Sequence, residues 1–181
     1  DEAYVSCAII FVMLAGGLFI SGSNLLMTIF LVTLATLFVI ISAFSGRSPY
    51  ADTGADRECL QVMSYEPMLM IMTVGFFTVT QSFDTAVLFQ LDRPIIGMLL
   101  PIFFGLLFIL TIKLRKSPFD LSYSHHAHQE IVKGITTEMN GRTLAKVEVM
   151  HWCESILFLM WVGMFFVWSN PVSIAVALVV M

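Results

Sequence analysis

Residues 24–44, NLLMTIFLVTLATLFVIISAF, contain no charged side chain, and only Asn24, Ser42 and three threonines interrupt the apolar run. A helix needs about 20 apolar residues to cross the hydrocarbon core of a bilayer, and this run supplies them. It is continuous, without the period-two alternation of a barrel strand, so an outer-membrane β-barrel is excluded. The rest of the chain is of the same kind. Hydrophobic residues make up 58% of the 181, charged residues 12%, and the mean hydropathy is +0.89. A soluble domain of this length could not bury that much apolar surface, whereas lipid can solvate it. The predicted class is all-α, a polytopic transmembrane helix bundle of about five full spans and a truncated sixth.

Working outward, a first span is expected over residues 3–20, followed by a tight turn at Ser21-Gly22-Ser23. After the 24–44 span, Ser45–Glu58 reads as a polar loop punctuated by Gly46, Pro49 and Gly54. A third span is expected over 59–80, a loop over 81–93, a fourth span over 94–112 and a fifth over 144–168. Between the last two lies the long polar interruption KLRKSPFDLSYSHHAHQEIVKGITTEMNG, Lys113–Gly141. A loop of this length in a compact domain is usually functional or disordered. Its mixed composition, with Ile131, Val132 and Ile135 able to bury a face, predicts a folded coupling loop over residues 113–143 within a single membrane domain, 1–181. The chain begins at Asp1 and stops soon after Asn170-Pro171, so the sixth segment is expected to be cut short and the sequence to be a piece of a longer protein. No secretory signal is evident, because Asp1 and Glu2 stand where positive charge is expected. Cys7, Cys59 and Cys153 show no CxxC spacing, which argues against an iron–sulfur cluster or structural zinc held by this chain alone.

If the spans alternate, one side of the membrane carries Arg47, Arg57, Lys113, Arg115, Lys116, Lys133, Arg142 and Lys146, and the other only Arg93. The asymmetry predicts that the 45–58 and 113–143 loops are cytoplasmic and that the protein resides in the cell membrane.

Several ionisable residues stand out. Glu66 is expected roughly 11 Å inside the third span at 1.5 Å per residue. A carboxylate there costs about 2.5–3.5 kcal/mol on insertion scales and normally marks a functional path. Pro67 beside it removes a helix hydrogen bond and leaves the Met63 carbonyl without its donor. Glu148, His151 and Glu154 recur every three residues on the fifth helix, an arc of about 120°. That stripe suits a hydrated path or contacts to a partner, with Glu154 the deeper group. His125, His126 and His128, with Glu130 nearby, have the chemistry of metal ligands, but the spacing alone assigns no metal. Proton relay or docking is the reading adopted for them. No Ser-His-Asp triad, phosphate-binding glycine loop or nucleic-acid patch is present.

These residues also carry a family resemblance. Gly54-Ala55-Asp56-Arg57-Glu58, followed by Gln61-Val62-Met63-Ser64-Tyr65-Glu66, resembles the GAxR…Q…SYE stretch of the complex I membrane subunit called subunit 1 or H. Pro118-Phe119-Asp120-Leu121 is similar to that family's PFDL, Glu130-Ile131-Val132 with Gly134 to its ELVxG, and Glu138 with Gly141 to its ExxG. Where complex I has a glutamate-rich segment after PFDL, this chain has SYSHHAHQE. That form, with KSPFDLS and the HWCE of His151–Glu154, looks like the homologous subunit of energy-converting NiFe hydrogenases, relatives of formate hydrogenlyase.

The resemblance implies a membrane subunit without a cofactor of its own. It would anchor a cytoplasmic arm whose NiFe large subunit and iron–sulfur small subunit carry the NiFe centre and iron–sulfur clusters, and join that arm to antiporter-like membrane subunits. The complex would oxidise reduced ferredoxin, make hydrogen and move H⁺ or Na⁺. By residue match, Arg57, Glu66, Asp120, Glu130 and Glu138 inherit roles in coupling, and Glu154 is a looser match. Glu148 and His151 join them from the polar stripe on the fifth helix. Pro118, Phe119, His125, His126, His128 and Arg115 belong to the loop and its subunit interface. Two alternatives are a quinone-binding complex I subunit and, from another class, a stand-alone transporter with a histidine-rich site. A transporter often shows repeated broken helices, and only one Glu-Pro break is found here.

Overall fold

The computed structural model describes residues 2–115, 133–170 and 172–180. They form a helix bundle: α1 Glu2–Ile20, α2 Leu25–Phe44, α3 Pro49–Thr80, α4 Leu100–Lys113, α5 Gly141–Met164 and α6 Val172–Val180. Short 3-10 turns cover Thr85–Gln90, Ile95–Gly97 and Gly134–Thr136. Among the described residues there is no strand, only an isolated bridge between Asn24 and Asp84. The expected helical membrane bundle is therefore borne out. Four helices, α1, α2, α3 and α5, are long and apolar enough to cross a bilayer.

The fourth predicted span is shorter than expected. Residues 94–99 are not α-helical, and α4 begins beside Pro101, which lacks the N–H that an earlier start would require. The remaining α4 has 14 residues, below the length that spans unaided.

The Ser45–Glu58 loop also needs correction, because α3 starts at Pro49 and is helical through that region. Pro49 is compatible with the first helical turn, where its missing N–H has no partner to lose. Gly54 does not break the helix. It lets the backbone of the 134–135 turn approach, since a Cβ at Gly54 would stand 2.5 Å from the Ile135 nitrogen. At 32 residues α3 measures about 48 Å against a core of about 30 Å, so its polar first turns extend beyond the hydrocarbon.

A sequence repeat explains how α3 and α5 are rotated. On α3 the residues at 51, 55, 58, 62, 65, 69, 72 and 76 are all buried, a strict alternation of four and three. On α5 the residues at 143, 147, 150, 154, 157, 161 and 164 repeat the pattern. This spacing keeps one seam of each helix turned inward, as in coiled coils. The core is built from those seams, with Trp161, Phe76, Phe158 and Phe165 its largest members. Asn24 and Asn140 cap α2 and α5 by accepting hydrogen bonds from the first free N–H groups, Leu26 and Met27 in one case and Thr143 in the other.

The bundle has two unlike ends. At one, the turn at 21–24, residues 81–99 and residues 165–170 meet, joined by Leu25 N–H to Phe83 O, Thr85 N–H to Ser23 O, Ile96 N–H to Phe165 O and Ser169 N–H to Leu91 O. At the other lie the start of α1, residues 45–48, the end of α4 and residues 133–146. Of the loop read over 113–143, Lys113 closes α4 and Gly141–Thr143 open α5.

Candidate functional site: a buried ion-pair cluster

The cluster forms where α2, α3, α4 and α5 approach each other near the polar end. Glu154 lies on the inward seam of α5 and Glu58 on that of α3, 2% and 5% exposed. Lys113, the last residue of α4, places Nζ 2.5 Å from Glu154 Oε1. The ammonium also lies over the Tyr65 ring, 4.7 Å from its centroid, and 5.7 Å from that of Phe158. Ring faces attract a cation and offset part of its lost hydration. Thr36 on α2 donates its hydroxyl to Glu154 Oε1 at 3.4 Å.

A second pair lies beside the first. Arg115 Nη2 is 3.1 Å from Glu58 Oε1. Residues two apart on a helix face away from each other, so Lys113 and Arg115 could not both point inward from a continued α4. The helix ends first. Leu114 is exposed, and Arg115 takes φ 50°, a left-handed conformation that swings its side chain back over α3. Such a backbone costs about 1–2 kcal/mol for a residue with a Cβ, and the ion pair with Glu58 helps to hold it.

His151, half-buried on α5, stands between the pairs, with Nδ1 3.5 Å from Arg115 Nη2 and 3.6 Å from Glu154 Oε2. Removing one partner of a buried pair leaves an uncompensated charge worth about 3–5 kcal/mol. The cluster is therefore a set of interdependent charges, able to answer a change in one by a shift in the others.

The family model described as NADH dehydrogenase matches residues 3–181. The chain belongs to the NADH dehydrogenase family. Its relatives include NADH-ubiquinone oxidoreductase chain 1 of Trichophyton rubrum, 35% identical over 67% of this chain and 36% of that protein. Formate hydrogenlyase subunit 4 of Escherichia coli is 28% identical over 81% of this chain and 48% of its own length. Hydrogenase-4 component C of Escherichia coli is 29% identical over 70% of this chain and 40% of that protein. The chain thus spans between about a third and a half of the length of these curated relatives. The family expected from the SYE and PFDL stretches is the one found, and the chain is an integral membrane protein of that family.

Not every residue singled out in this NADH dehydrogenase family member joins the cluster. Glu66 is half-buried on α3, one position off the inward seam that holds Tyr65, and has no side-chain hydrogen bond or ion pair among the described residues. Glu148 is exposed. Steps of three drift round a helix by about 60° each, so Glu148, His151 and Glu154 run from the surface to the core instead of sharing one environment. Arg57 is half-buried beside Glu58. Glu138 lies apart, accepting a hydrogen bond from the Arg47 N–H at 2.8 Å and lining a cavity of about 280 Å³ with Glu2, Ser42 and Asn140. Pro118, Phe119, Asp120, His125, His126, His128 and Glu130 lie outside the described residues. Among the described residues no three metal-ligating side chains come together.

In sequence Lys113 reads only as a loop cation, and Glu58, Tyr65 and Thr36 do not stand out as members of the site. The four-three repeat on α3 was the available signal, since it places Glu58 and Tyr65 on one seam.

Proposed function

We propose that this chain is a non-redox membrane subunit of an energy-converting, ferredoxin-dependent NiFe hydrogenase. It seats the hydrogenase arm and couples its electron transfer to movement of H⁺ or Na⁺ across the cell membrane, with residues 45–58 and 113–143 on the cytoplasmic side. The NiFe centre and iron–sulfur clusters belong to partner subunits of the arm, and antiporter-like subunits adjoin the bundle. The observation that carries the reading is the buried Lys113–Glu154 pair beside Arg115–Glu58, four charges held in a largely apolar bundle at its polar end. In such surroundings each charge is strongly felt by its neighbours. Electron transfer in the arm changes charge next to the polar end. Glu130, Glu138 and the loop histidines receive the change, and His151, Glu154, Glu148 and Glu66 pass it on.

A second reading is supported by the relatives named as NADH-ubiquinone oxidoreductase chain 1, namely a quinone-reactive subunit of a complex I. The histidine-bearing SYSHHAHQE segment and the similarity to formate hydrogenlyase subunit 4 favour the first.

The experiment is affinity purification of the full-length subunit from its native membrane, with identification of co-purifying chains, metal analysis and an assay of ferredoxin-dependent hydrogen evolution. Nickel and hydrogen evolution with antiporter-like partners are expected. NADH-oxidising partners without nickel would move the assignment to complex I, and a chain active alone would favour a transporter. Within the complex, Glu66→Gln is expected to abolish ion movement while leaving assembly intact. Normal pumping in that variant removes Glu66 from the path.

A further inference from the structure

The two neighbours of His151 Nδ1 make opposite demands on one atom. A guanidinium only donates, so Arg115 Nη2 at 3.5 Å can bond only to a bare lone pair on Nδ1. An ionised carboxylate only accepts, so Glu154 Oε2 at 3.6 Å can bond only to an Nδ1 that carries hydrogen. One ring nitrogen cannot satisfy both. Both separations exceed the 2.7–3.2 Å usual for such bonds, so the ring is placed between these two partners and committed to neither.

The surroundings give that choice consequences. Arg115 is the second residue beyond α4, held in a left-handed backbone and joined to Glu58 on α3. Glu154 is joined to Lys113 on α4 and Thr36 on α2, with Tyr65 of α3 against the ammonium. His151 thus stands within 4 Å of a member of each ion pair.

We propose that His151 is a positioning residue whose Nδ1 selects between the two ion pairs. This rests on the reading of the chain as a coupling subunit. With hydrogen on Nδ1 the ring donates to Glu154 and releases Arg115. With Nδ1 bare it accepts from Arg115 and releases Glu154. A small approach of the ring to Glu154 also permits transfer. Starting from the imidazolium, the Nδ1–H bond breaks, an O–H bond forms on Oε2, no electron moves, and the neutral ring, keeping hydrogen on Nε2, takes up Arg115 at the bare Nδ1. A proton leaving the carboxyl by the reverse step resets the ring. The position of Arg115 at the root of the polar segment is in this way tied to the charge of Glu154 inside the bundle.

The test uses the complete complex, measuring ions moved per turnover between pH 5 and 8 for wild type and His151→Asn. The asparagine amide occupies the place of Nδ1 and can donate or accept, but it does not titrate. Ions per turnover are expected to fall at least tenfold, with the residual coupling flat across this range. Coupling and a pH profile equal to wild type would mean that His151 is only a hydrogen-bonded strut, and would overturn the proposal. A wild-type complex that moves no ion overturns the coupling reading and this proposal with it, so the two failures are distinguishable. If the variant does not assemble, infrared difference spectra of wild type labelled with ¹⁵N-histidine, taken between reduced and oxidised poise, decide the matter. A change in histidine ring modes that is lost in Arg115→Gln is expected, and unchanged ring modes overturn the proposal.

Discussion

The two ends of the bundle are closed by different kinds of bond. At the end formed by residues 21–24, 81–99 and 165–170 the contacts run mostly from main chain to main chain, such as Leu25 N–H to Phe83 O at 2.8 Å and Ser169 N–H to Leu91 O at 2.9 Å, with the neutral Thr85 hydroxyl added near Ser23 O. At the polar end the elements are joined through side chains: Lys113 to Glu154, Arg115 to Glu58, Lys146 to Glu2, and Glu138 to the Arg47 N–H. A backbone hydrogen bond carries no titrating group and has one arrangement. Charged side chains can exchange partners and protons. The same fold therefore has a fixed end and an adjustable end, and the adjustable one holds residues 45–48 and 133–146.

The most direct challenge to this contrast is to remove charge from the adjustable end. Lys113→Met alone should destabilise the protein by about 3–5 kcal/mol by stranding Glu154, whereas Lys113→Met with Glu154→Met should regain most of that loss. Thermal unfolding of the purified protein in detergent measures both. A double variant as unstable as the single would show that packing, and not charge, holds this end.

Next in size is the backbone contact beneath the polar end. Gly54→Ala should cost about 1–3 kcal/mol, because the new methyl meets the main chain at Gly134 and Ile135 instead of a movable side-chain tip. Proteolysis within the 133–140 segment should rise in parallel, and an unchanged cleavage rate would remove Gly54 as the anchor of that turn.

The two asparagine caps give a matched control. Asn24→Ala and Asn140→Ala should each cost about 1 kcal/mol. If coupling, measured as ions per turnover, is lost only with Asn140→Ala, the adjustable end is the functional one. Equal loss at both ends would dissolve the distinction. The smallest effect is expected at the Lys146–Glu2 pair, where both side chains are substantially exposed. Lys146→Gln should leave the melting temperature unchanged at physiological salt, where exposed pairs are screened.

How far the sequence discloses this molecule depends on the scale of the question. Apolar run length identified α1, α2, α3 and α5, because lipid imposes that length on any helix crossing it. Run length alone misplaced the start of α3, where Pro49 and Gly54 read as breakers. Pro49 opens the helix, and Gly54 is required by a turn some 80 residues further on. It also overestimated α4, whose start is decided at Pro101. The site was half legible. Glu154 and His151 were found through their i, i+3 relation. Lys113 was hidden at the boundary between an apolar run and a polar stretch, where sequence cannot say whether a lysine reaches outward to water or turns inward to a carboxylate. Arg115 reads as a loop residue and Glu58 as the end of the GADRE stretch, and nothing in the sequence pairs them, because the left-handed turn that joins them is a tertiary outcome. Glu66 drew attention through its depth, yet the seam that fixes rotation about α3 passes through its neighbour Tyr65.

The charges of the cluster also bear on stoichiometry. Lys113, Arg115, Glu58 and Glu154 form two ion pairs whose formal charges cancel. One added proton leaves the group at a net charge of one. A second like charge about 4 Å away would cost a further 4 kcal/mol or so at an effective dielectric constant near 20. The cluster therefore tolerates one added charge far better than two. In the coupling role proposed for this chain, one elementary charge passes through the cluster per cycle, and a larger ion count per turnover comes from neighbouring subunits.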